Sequence, residues 1–140
     1  MIPLFDSKGN LPAGIYLCTF AEVKKQFAYN QVRKRLFLQL LGAIDILRQA
    51  RCSEIYLDGS FITIEQFPND YDLCWEPIGI KPTIELKKLL SLDIDPRREK
   101  FGGDIFVRMP EPPYTVDPVQ IWQFDKDGEA KGILRILLEN

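Results

Sequence analysis

Two aspartates at positions 70 and 72 are the residues whose type and spacing most directly indicate chemistry. They open the segment 70–75 (DYDLCW), whose apolar and aromatic residues are typical of a β-strand. In a strand, residues i and i+2 point to the same face, so Asp70 and Asp72 would project side by side. Carboxylates that close repel each other. A divalent metal ion between them is the simplest way to relieve this repulsion.

A simpler interpretation of the same aspartates is a turn. Pro68, Asn69 and Asp70 form a natural turn sequence, in which an aspartate can bond its own backbone. An EF-hand calcium loop does not fit, because the required run of oxygen ligands, the glycine and the glutamate are missing. The metal site and the structural turn therefore both remain open at this stage.

A second short segment strengthens the metal interpretation. The segment 55–57 (IYL) has strand character and leads into Gly59 and Ser60. Glycine would let a triphosphate approach the backbone closely, and the N–H groups and hydroxyl of Ser60 could bond phosphate oxygens. Mg²⁺ held by Asp70 and Asp72 would share its oxygen shell with those phosphates.

Gly59-Ser60, nine further residues and then Asp70-Tyr71-Asp72 resemble the motif of the polymerase-β-type nucleotidyltransferase superfamily. The resemblance spans roughly residues 52–75. The chain is also similar to a group of short bacterial proteins with a Tyr-Leu-Asp-Gly-Ser-Phe strand-turn and a downstream Gly-Gly-acidic segment, and to nucleotidyltransferase components of toxin–antitoxin systems. One departure is Asp58, because the superfamily usually has an apolar residue before the glycine. Asp58 is either a tolerated turn residue or an extra acidic group in the site.

The resemblance implies an enzyme with Mg²⁺ as cofactor. Such an enzyme would transfer a nucleoside monophosphate from an NTP, expected to be ATP, to a hydroxyl on protein or RNA. The resemblance also implies a toxin–antitoxin or defence system, in which the chain would have a partner toxin or antitoxin. Asp70 and Asp72 would bind the metal, and Gly59 and Ser60 would bind the nucleotide. The alternative is a catalytically weak module of the same fold that acts through a protein partner, and the blandest interpretation is a domain whose aspartates only build a turn.

The superfamily's third carboxylate lies on a later strand, and Asp104 is the candidate here. It follows Gly102 and Gly103, which would let the backbone approach a ligand closely. Glu85 competes, but it falls on a predicted helix, and a simple strand-start role for Asp104 is equally open.

Several basic and aromatic residues are weaker candidates. Lys100 is assigned to nucleotide binding, and the other basic candidates for phosphate contact are Arg33, Arg35, Arg98 and Lys131. For each of them a solvated side chain is the default. Trp75 and Trp122 could stack a base, although aromatic residues more often lie in a core.

Composition limits the classes of function. The 140 residues are 46% hydrophobic and 27% charged, with net charge -2 and pI about 5.2, which indicates a folded domain without an overall basic surface. The absence of histidine excludes Ser-His-Asp and Cys-His nucleophiles. Three cysteines and no signal peptide favour a cytoplasmic setting, and no apolar run is long enough to span a membrane.

The hydrophobic pattern predicts one domain over residues 1–140, of α/β (α+β) class, with helices packed on a small mixed sheet. The predicted helices are 19–27, 30–51, 82–92 and a short one within 116–124, and the predicted strands are 15–18, 55–57, 70–75, 104–108 and 132–138. In the long helix, Arg33 falls on the predicted solvent side. In the third, Ile84, Leu86, Leu89 and Leu90 are predicted to face inward. Residues 93–103 are predicted to form a polar loop.

Overall fold

The computed structural model describes residues 1–109 and 117–138, and its centre is a five-stranded mixed sheet. The strands are β1 (Gly14–Leu17), β2 (Glu54–Asp58), β3 (Tyr71–Trp75), β4 (Gly103–Val107) and β5 (Gly132–Leu137). The helices are α1 (Phe20–Phe27), α2 (Gln31–Gln49), α3 (Ile84–Ser91), α4 (Ile94–Phe101) and α5 (Pro118–Ile121). The predicted α+β class is confirmed. The alternative caps suggested by the sequence for the short helix are Asp117, which is the N-cap of α5, and Thr115, which lies outside the described residues together with prolines 110, 112 and 113.

The sheet has the strand order β1-β5-β2-β3-β4. The outer pairs β1–β5 and β3–β4 are parallel, and the inner pairs β5–β2 and β2–β3 are antiparallel. A short 3-10 turn at Ser60–Ile62 begins the connection from β2 to β3, whereas α3 and α4 make the crossover from β3 to β4. This arrangement places the two strands of the Gly-Ser and Asp-x-Asp segments side by side, with β4 next to them.

The long helix α2 supplies most of the cover for one face of the sheet. Its N-cap is Asn30, whose side chain accepts a hydrogen bond from the backbone N–H of Arg33. Its buried apolar residues are Leu36, Phe37, Leu40, Ala43, Ile44 and Leu47. They share a core with inward residues of β2 and β3 such as Leu57 and Leu73. Each large side chain buried in this way contributes about 1.5–3 kcal/mol.

The position of Arg33 corrects the prediction from helical periodicity. Arg33 is fully buried instead of lying on the solvent side of α2. Its guanidinium donates hydrogen bonds to the backbone carbonyls of Phe27, Phe61, Thr63 and Glu65. Three of these carbonyls belong to the connection after β2 and the fourth is at the end of α1, and a long side chain with several donors satisfies them all. Arg33 therefore ties the loop to the helix and is not available to contact phosphate.

The polar segment before β4 is helical, which corrects the loop predicted for 93–103. Helix α4 begins after Asp93 and ends at Gly102, which has φ 80° and caps the helix in the left-handed conformation. Only Phe101 is buried in this helix, so the segment shows little apolar periodicity. Arg97 adds support by donating to the carbonyls of Leu92 and Ile105.

Helix α3 buries a narrower stripe than predicted. Leu86 and Leu89 are buried as expected, but Ile84 and Leu90 are exposed. The helix lies at the margin of α2, where it can bury only one side. Within the described residues, no helix has both the length and the apolar character required to cross a lipid bilayer.

The sheet face opposite α2 is only partly covered, and we call it the open face. Tyr56, Cys74 and Ile133 on this face form a small cluster with Val119 and Trp122, contributed by α5 and the residue after it. Other apolar side chains on the same face are exposed: Ile15, Leu17, Phe106 and Leu137. Among the residues of β3 and β4 on the open face, Asp72, Asp104 and Phe106 are at least partly accessible to solvent, whereas Cys74 is buried.

Candidate functional site

A row of three carboxylates crosses one end of the open face. Asp58 on β2 is the direct partner of Asp72 on β3, and Asp72 is the direct partner of Asp104 on β4. Residues directly opposite each other share a sheet face, with Cβ atoms about 4.5–5.5 Å apart. We call Asp58, Asp72 and Asp104, together with Asp70 two residues before Asp72, the carboxylate row. The sheet register therefore assembles the acidic residues that the sequence separates.

Three members of this row, Asp70, Asp72 and Asp104, are the residues predicted from the sequence, and the structure brings them together. From the sequence, Asp58 is either a turn residue or an extra acidic group of the site. The structure places it at the last position of β2, directly opposite Asp72. The separation of Asp58 and Asp72 in the sequence fits no helix or strand period. Only the pairing of β2 with β3 shows that the two residues are neighbours.

Asp72 is the electrostatic centre of the row. Burial raises the pKa of Asp72 to about 6, and the negative charges of Asp58, Asp70 and Asp104 add to the rise. Lys131 opposes this shift only in part. Among the described residues Asp72 forms no ion pair, so its ionised carboxylate is held next to like charges without a cation in contact.

Asp70 lies at the entrance to the same site. Burial and the charge of Asp104 raise its pKa, whereas Arg98 opposes the rise. The backbone carbonyl of Asp70 accepts a hydrogen bond from the Ser60 hydroxyl at 3.1 Å. Its carboxylate forms no ion pair within the described ranges. Asp70 and Asp72 are therefore the two carboxylates that remain open to a cation.

The other two carboxylates already have cationic partners. Nζ of Lys131, just before β5, lies 2.5 Å from Oδ1 of Asp58. Arg98 on α4 binds both oxygens of Asp104, with Nε–Oδ1 at 2.7 Å and Nη2–Oδ2 at 2.8 Å. Burial still raises the pKa of Asp58, although Lys131 opposes it. The row is thus bracketed by one fixed cation at each end.

Lys131 is expected to be important for stability because its pair with Asp58 is largely buried. Replacing Lys131 with methionine should lower the free energy of unfolding at pH 7 by about 2–3 kcal/mol, since it leaves Asp58 facing Asp72 without a cation. The double variant Lys131→Met, Asp58→Asn should recover most of that loss in urea unfolding. Equal stability of the single and double variants would contradict this account.

Gly59 is required by the packing of the turn against β3. It has φ 93°, and a Cβ atom there would lie 2.9 Å from the backbone N of Asp72 and 3.1 Å from Cα of Tyr71. These neighbours are backbone atoms of a central strand, so a side chain at Gly59 would push the turn away from β3. Glycine therefore brings Ser60 to within hydrogen-bonding distance of Asp70.

The two glycines before Asp104 make close contacts with the protein itself. A Cβ at Gly102 would lie 2.6 Å from Oε1 of Gln39, and one at Gly103 would lie 2.3 Å from the carbonyl oxygen of Tyr71. The Tyr71 hydroxyl also donates to the Phe101 carbonyl. Gly102 therefore approaches α2 and Gly103 approaches β3, whereas the sequence predicted an approach to a ligand. The contact of Gly103 with β3 sets Asp104 beside Asp72.

The weaker basic and aromatic candidates lie in different places relative to the carboxylate row. Lys100 lies over the ring of its neighbour Phe101 and, among the described residues, forms no ion pair with the carboxylate row. Arg35 is exposed on α2. Trp75 is buried on the α2 side of the sheet, whereas Trp122 lies on the open face. Of the residues weighed for base stacking, only Trp122 is on the same face as the carboxylates.

The donor chemistry of the row suits a hard divalent cation. Carboxylate oxygens are the ligands that Mg²⁺ prefers, and the two carboxylates without an ion pair are Asp70 and Asp72. In the part of the chain that the structure describes, no three His, Cys, Asp or Glu side chains are arranged to hold a metal ion as they stand. Asp104 could join such a group only after Arg98 releases its carboxylate.

The fold and site define a small α+β domain with an acidic site at one end of an open sheet face. The chain belongs to the Family of unknown function (DUF6932), whose model matches residues 3–137. No curated protein and no solved structure gives a significant match to the chain.

Proposed function

We propose that the chain is a Mg²⁺-dependent nucleotidyltransferase that moves a nucleoside monophosphate from ATP or another NTP to a hydroxyl on protein or RNA. The observation that carries this proposal is the placement of Asp72. It lies between two other carboxylates on an open sheet face, has a raised pKa, and contacts the Gly59 turn through its backbone. A residue held against this electrostatic cost is typical of a functional site.

Each residue of the site has a role in this proposal. Asp70 and Asp72 would hold Mg²⁺, and Asp104 completes the site once Arg98 releases its carboxylate. The acceptor hydroxyl attacks the α-phosphate of the NTP and gives its proton to Asp104, the bond between the α- and β-phosphates breaks, and pyrophosphate leaves. Gly59 and Ser60 bind the triphosphate through the turn backbone and the serine hydroxyl. Bound Mg²⁺ would neutralise the charge that develops on the phosphates during transfer. The protein's own contribution is positioning on rigid strands.

The bracketing cations have a place in the same scheme. Arg98 and Lys131 lie at the two ends of the row, and each contacts a carboxylate in the structure. When the metal neutralises the carboxylates, both side chains can turn to the phosphates of the nucleotide. Arg98 is the better suited, because its side chain is about half exposed and its guanidinium can bind two phosphate oxygens.

A second function is favoured by the same ion pairs. Arg98 and Lys131 already neutralise Asp104 and Asp58, so two of the four carboxylates of the row are charge-compensated without a metal. Neutralisation of carboxylates by side chains of the protein suits a catalytically weak domain that acts by binding a protein partner. Such a partner would be the toxin or antitoxin of a toxin–antitoxin system in the cytoplasm. In that case the two ion pairs of the carboxylate row would stabilise the sheet, and the carboxylates would take no part in catalysis.

The decisive experiment is a label-transfer assay. The purified chain is incubated in host-cell lysate with Mg²⁺ and each of the four α-labelled NTPs, beside the double variant Asp70→Asn, Asp72→Asn. The matched control is Asp45→Asn, which changes an exposed aspartate on α2, remote in sequence from the site. Transfer should occur with the wild type and the control and be at least about 100-fold slower with the double variant, because metal-assisted charge stabilisation is worth several kcal/mol.

The outcomes separate the two functions. A labelled RNA or protein band that requires Asp70 and Asp72 supports the transferase and reveals its acceptor. If no label is transferred and calorimetry detects no Mg²⁺-dependent nucleotide binding, the transferase proposal is wrong. Partner capture that survives in the double variant would then support the binding module.

A further inference from the structure

An exposed aromatic ring lies on the same strand face as the carboxylate row. Phe106 follows Asp104 by two residues on β4, so both side chains project from the open face. Phe106 is 42% exposed, although its direct partner on β3, Cys74, is fully buried. A large apolar ring is therefore presented to solvent about 6.6–6.8 Å along the strand from a site carboxylate.

The ring of Phe106 is held in place by Trp122. Their ring centroids are 5.7 Å apart with an interplanar angle of 74°, the edge-to-face arrangement that aromatic pairs prefer. Trp122 in turn packs against the small cluster that includes Tyr56 and Cys74. The two rings thus form an aromatic platform, by which we mean Phe106 and Trp122, anchored to the sheet at the side of the carboxylate row.

We propose that the aromatic platform binds the base of the nucleotide whose phosphates occupy the carboxylate row; this inference rests on the proposed function. A nucleotide whose phosphates share the Mg²⁺ that Asp70 and Asp72 would hold can extend its ribose along β4 and lay its base on Phe106. Stacking on an aromatic ring requires no particular hydrogen-bonding edge, so the platform accepts any base. Purines bind more tightly than pyrimidines, because they cover more of the ring.

The position of the platform distinguishes it from other exposed apolar residues. Single exposed apolar side chains are normal on protein surfaces and carry no functional meaning. Phe67, for example, is 58% exposed but lies in the loop ahead of β3, outside the sheet. Phe106 combines exposure, an anchored ring partner, and a place on the strand that carries Asp104. No other aromatic side chain among the described residues combines these three properties.

The test compares ATP with tripolyphosphate, which has the phosphates but no base. Both are titrated in Mg²⁺ by calorimetry against the wild type, Phe106→Ala and Phe106→Tyr, with Phe67→Ala as the control for an exposed aromatic outside the platform. Phe106→Ala should weaken ATP binding by about 10-fold or more and leave tripolyphosphate binding unchanged. Phe106→Tyr keeps the ring and should bind ATP like the wild type. Thermal melts establish that each variant is folded.

Tryptophan fluorescence gives a second readout. The chain has two tryptophans, and because Trp75 is buried on the other face, a change on nucleotide binding reports on Trp122. ATP should change this emission, and tripolyphosphate should not. If Phe106→Ala binds ATP as tightly as the wild type, or loses ATP and tripolyphosphate equally, the platform is not the base site. If the wild type binds neither compound, the proposed function itself fails, and this inference fails with it.

Discussion

Replacing Asp72 with asparagine should stabilise the folded chain at neutral pH and abolish its response to Mg²⁺. The Asp72 carboxylate is half-buried, it lies among Asp58, Asp70 and Asp104, and it has no ion-pair partner within the described residues. Asparagine has the same shape without the charge, so the substitution removes repulsion and creates no cavity. We expect a gain of about 1–2 kcal/mol at pH 7, after allowance for the partial exposure of the carboxylate.

The pH dependence of the free energy of unfolding tests whether the charge of Asp72 is responsible for this gain. The pKa of Asp72 rises from 3.8 in the unfolded chain to about 6 in the folded one. Between these values the folded state binds more protons than the unfolded state, so the contribution of Asp72 to stability falls as the pH rises from about 4 to about 6. Well above pH 6 the Asp72 carboxylate is ionised in both the folded and the unfolded state, so it destabilises the fold by its full amount. The difference in unfolding free energy between Asp72→Asn and the wild type should therefore grow from near zero at pH 4 to its full value at pH 7.

Urea unfolding from pH 4 to pH 8 measures this difference directly, and the wild type serves as the internal reference for every other titrating group. Thermal melts with and without Mg²⁺ provide the functional half of the experiment. Mg²⁺ should raise the melting temperature of the wild type and leave that of Asp72→Asn unchanged, because a ligand of the folded state stabilises it by mass action. A destabilised Asp72→Asn, or one whose melting temperature still rises with Mg²⁺, would show that Asp72 has a structural role only.

Replacing Arg33 with methionine should lower the free energy of unfolding by about 3–5 kcal/mol. Arg33 donates to four backbone carbonyls, at 3.1 Å to Phe27, 2.6 Å to Phe61, 2.7 Å to Thr63, and also to Glu65. Methionine fills much of the space but has no donors, so buried carbonyls lose their partners, each at a cost of about 1–3 kcal/mol. Small domains are stable by only about 5–15 kcal/mol, so this loss is severe.

The neighbouring Arg35 provides a matched control for Arg33. It has the same side chain on the same helix but is exposed, so Arg35→Met should change stability by no more than about 0.5 kcal/mol. Hydrogen exchange of the loop 61–65 in Arg33→Met should be accelerated more than that of the core strands, because this loop loses most of the contacts. Equal effects of the two substitutions would mean that the four carbonyl contacts do not hold the loop.

Local sequence signals were sufficient to predict most of the elements. Helix α1 begins with a capping box at Thr19, α2 begins with an N-cap at Asn30, and the apolar spacing of α2 marks its buried stripe. These features depend on neighbours within a few residues, which is why sequence alone determines them. Helix α4 escaped prediction because only Phe101 is buried there, so its periodicity is too weak to detect.

The spacing of Gly59, Ser60, Asp70 and Asp72 was also sufficient to predict that these residues meet, because a short connection between two strands brings its ends together. The addition of Asp104 depended on a resemblance to a superfamily. The metal, the nucleotide and the acceptor remain proposals. The sequence alone was thus sufficient for all the helices and strands except α4, and for the acidic turn between β2 and β3.

The tertiary structure alone decided how the charges are distributed. Strand register placed Asp58 opposite Asp72, and the sheet edges brought Lys131 and Arg98 to the two ends of the row. The burial of Arg33 likewise depends on carbonyls of a loop about 30 residues away. Local sequence patterns cannot encode these pairings, because each one joins residues on different elements and its energy depends on burial, which exists only once the sheet has formed.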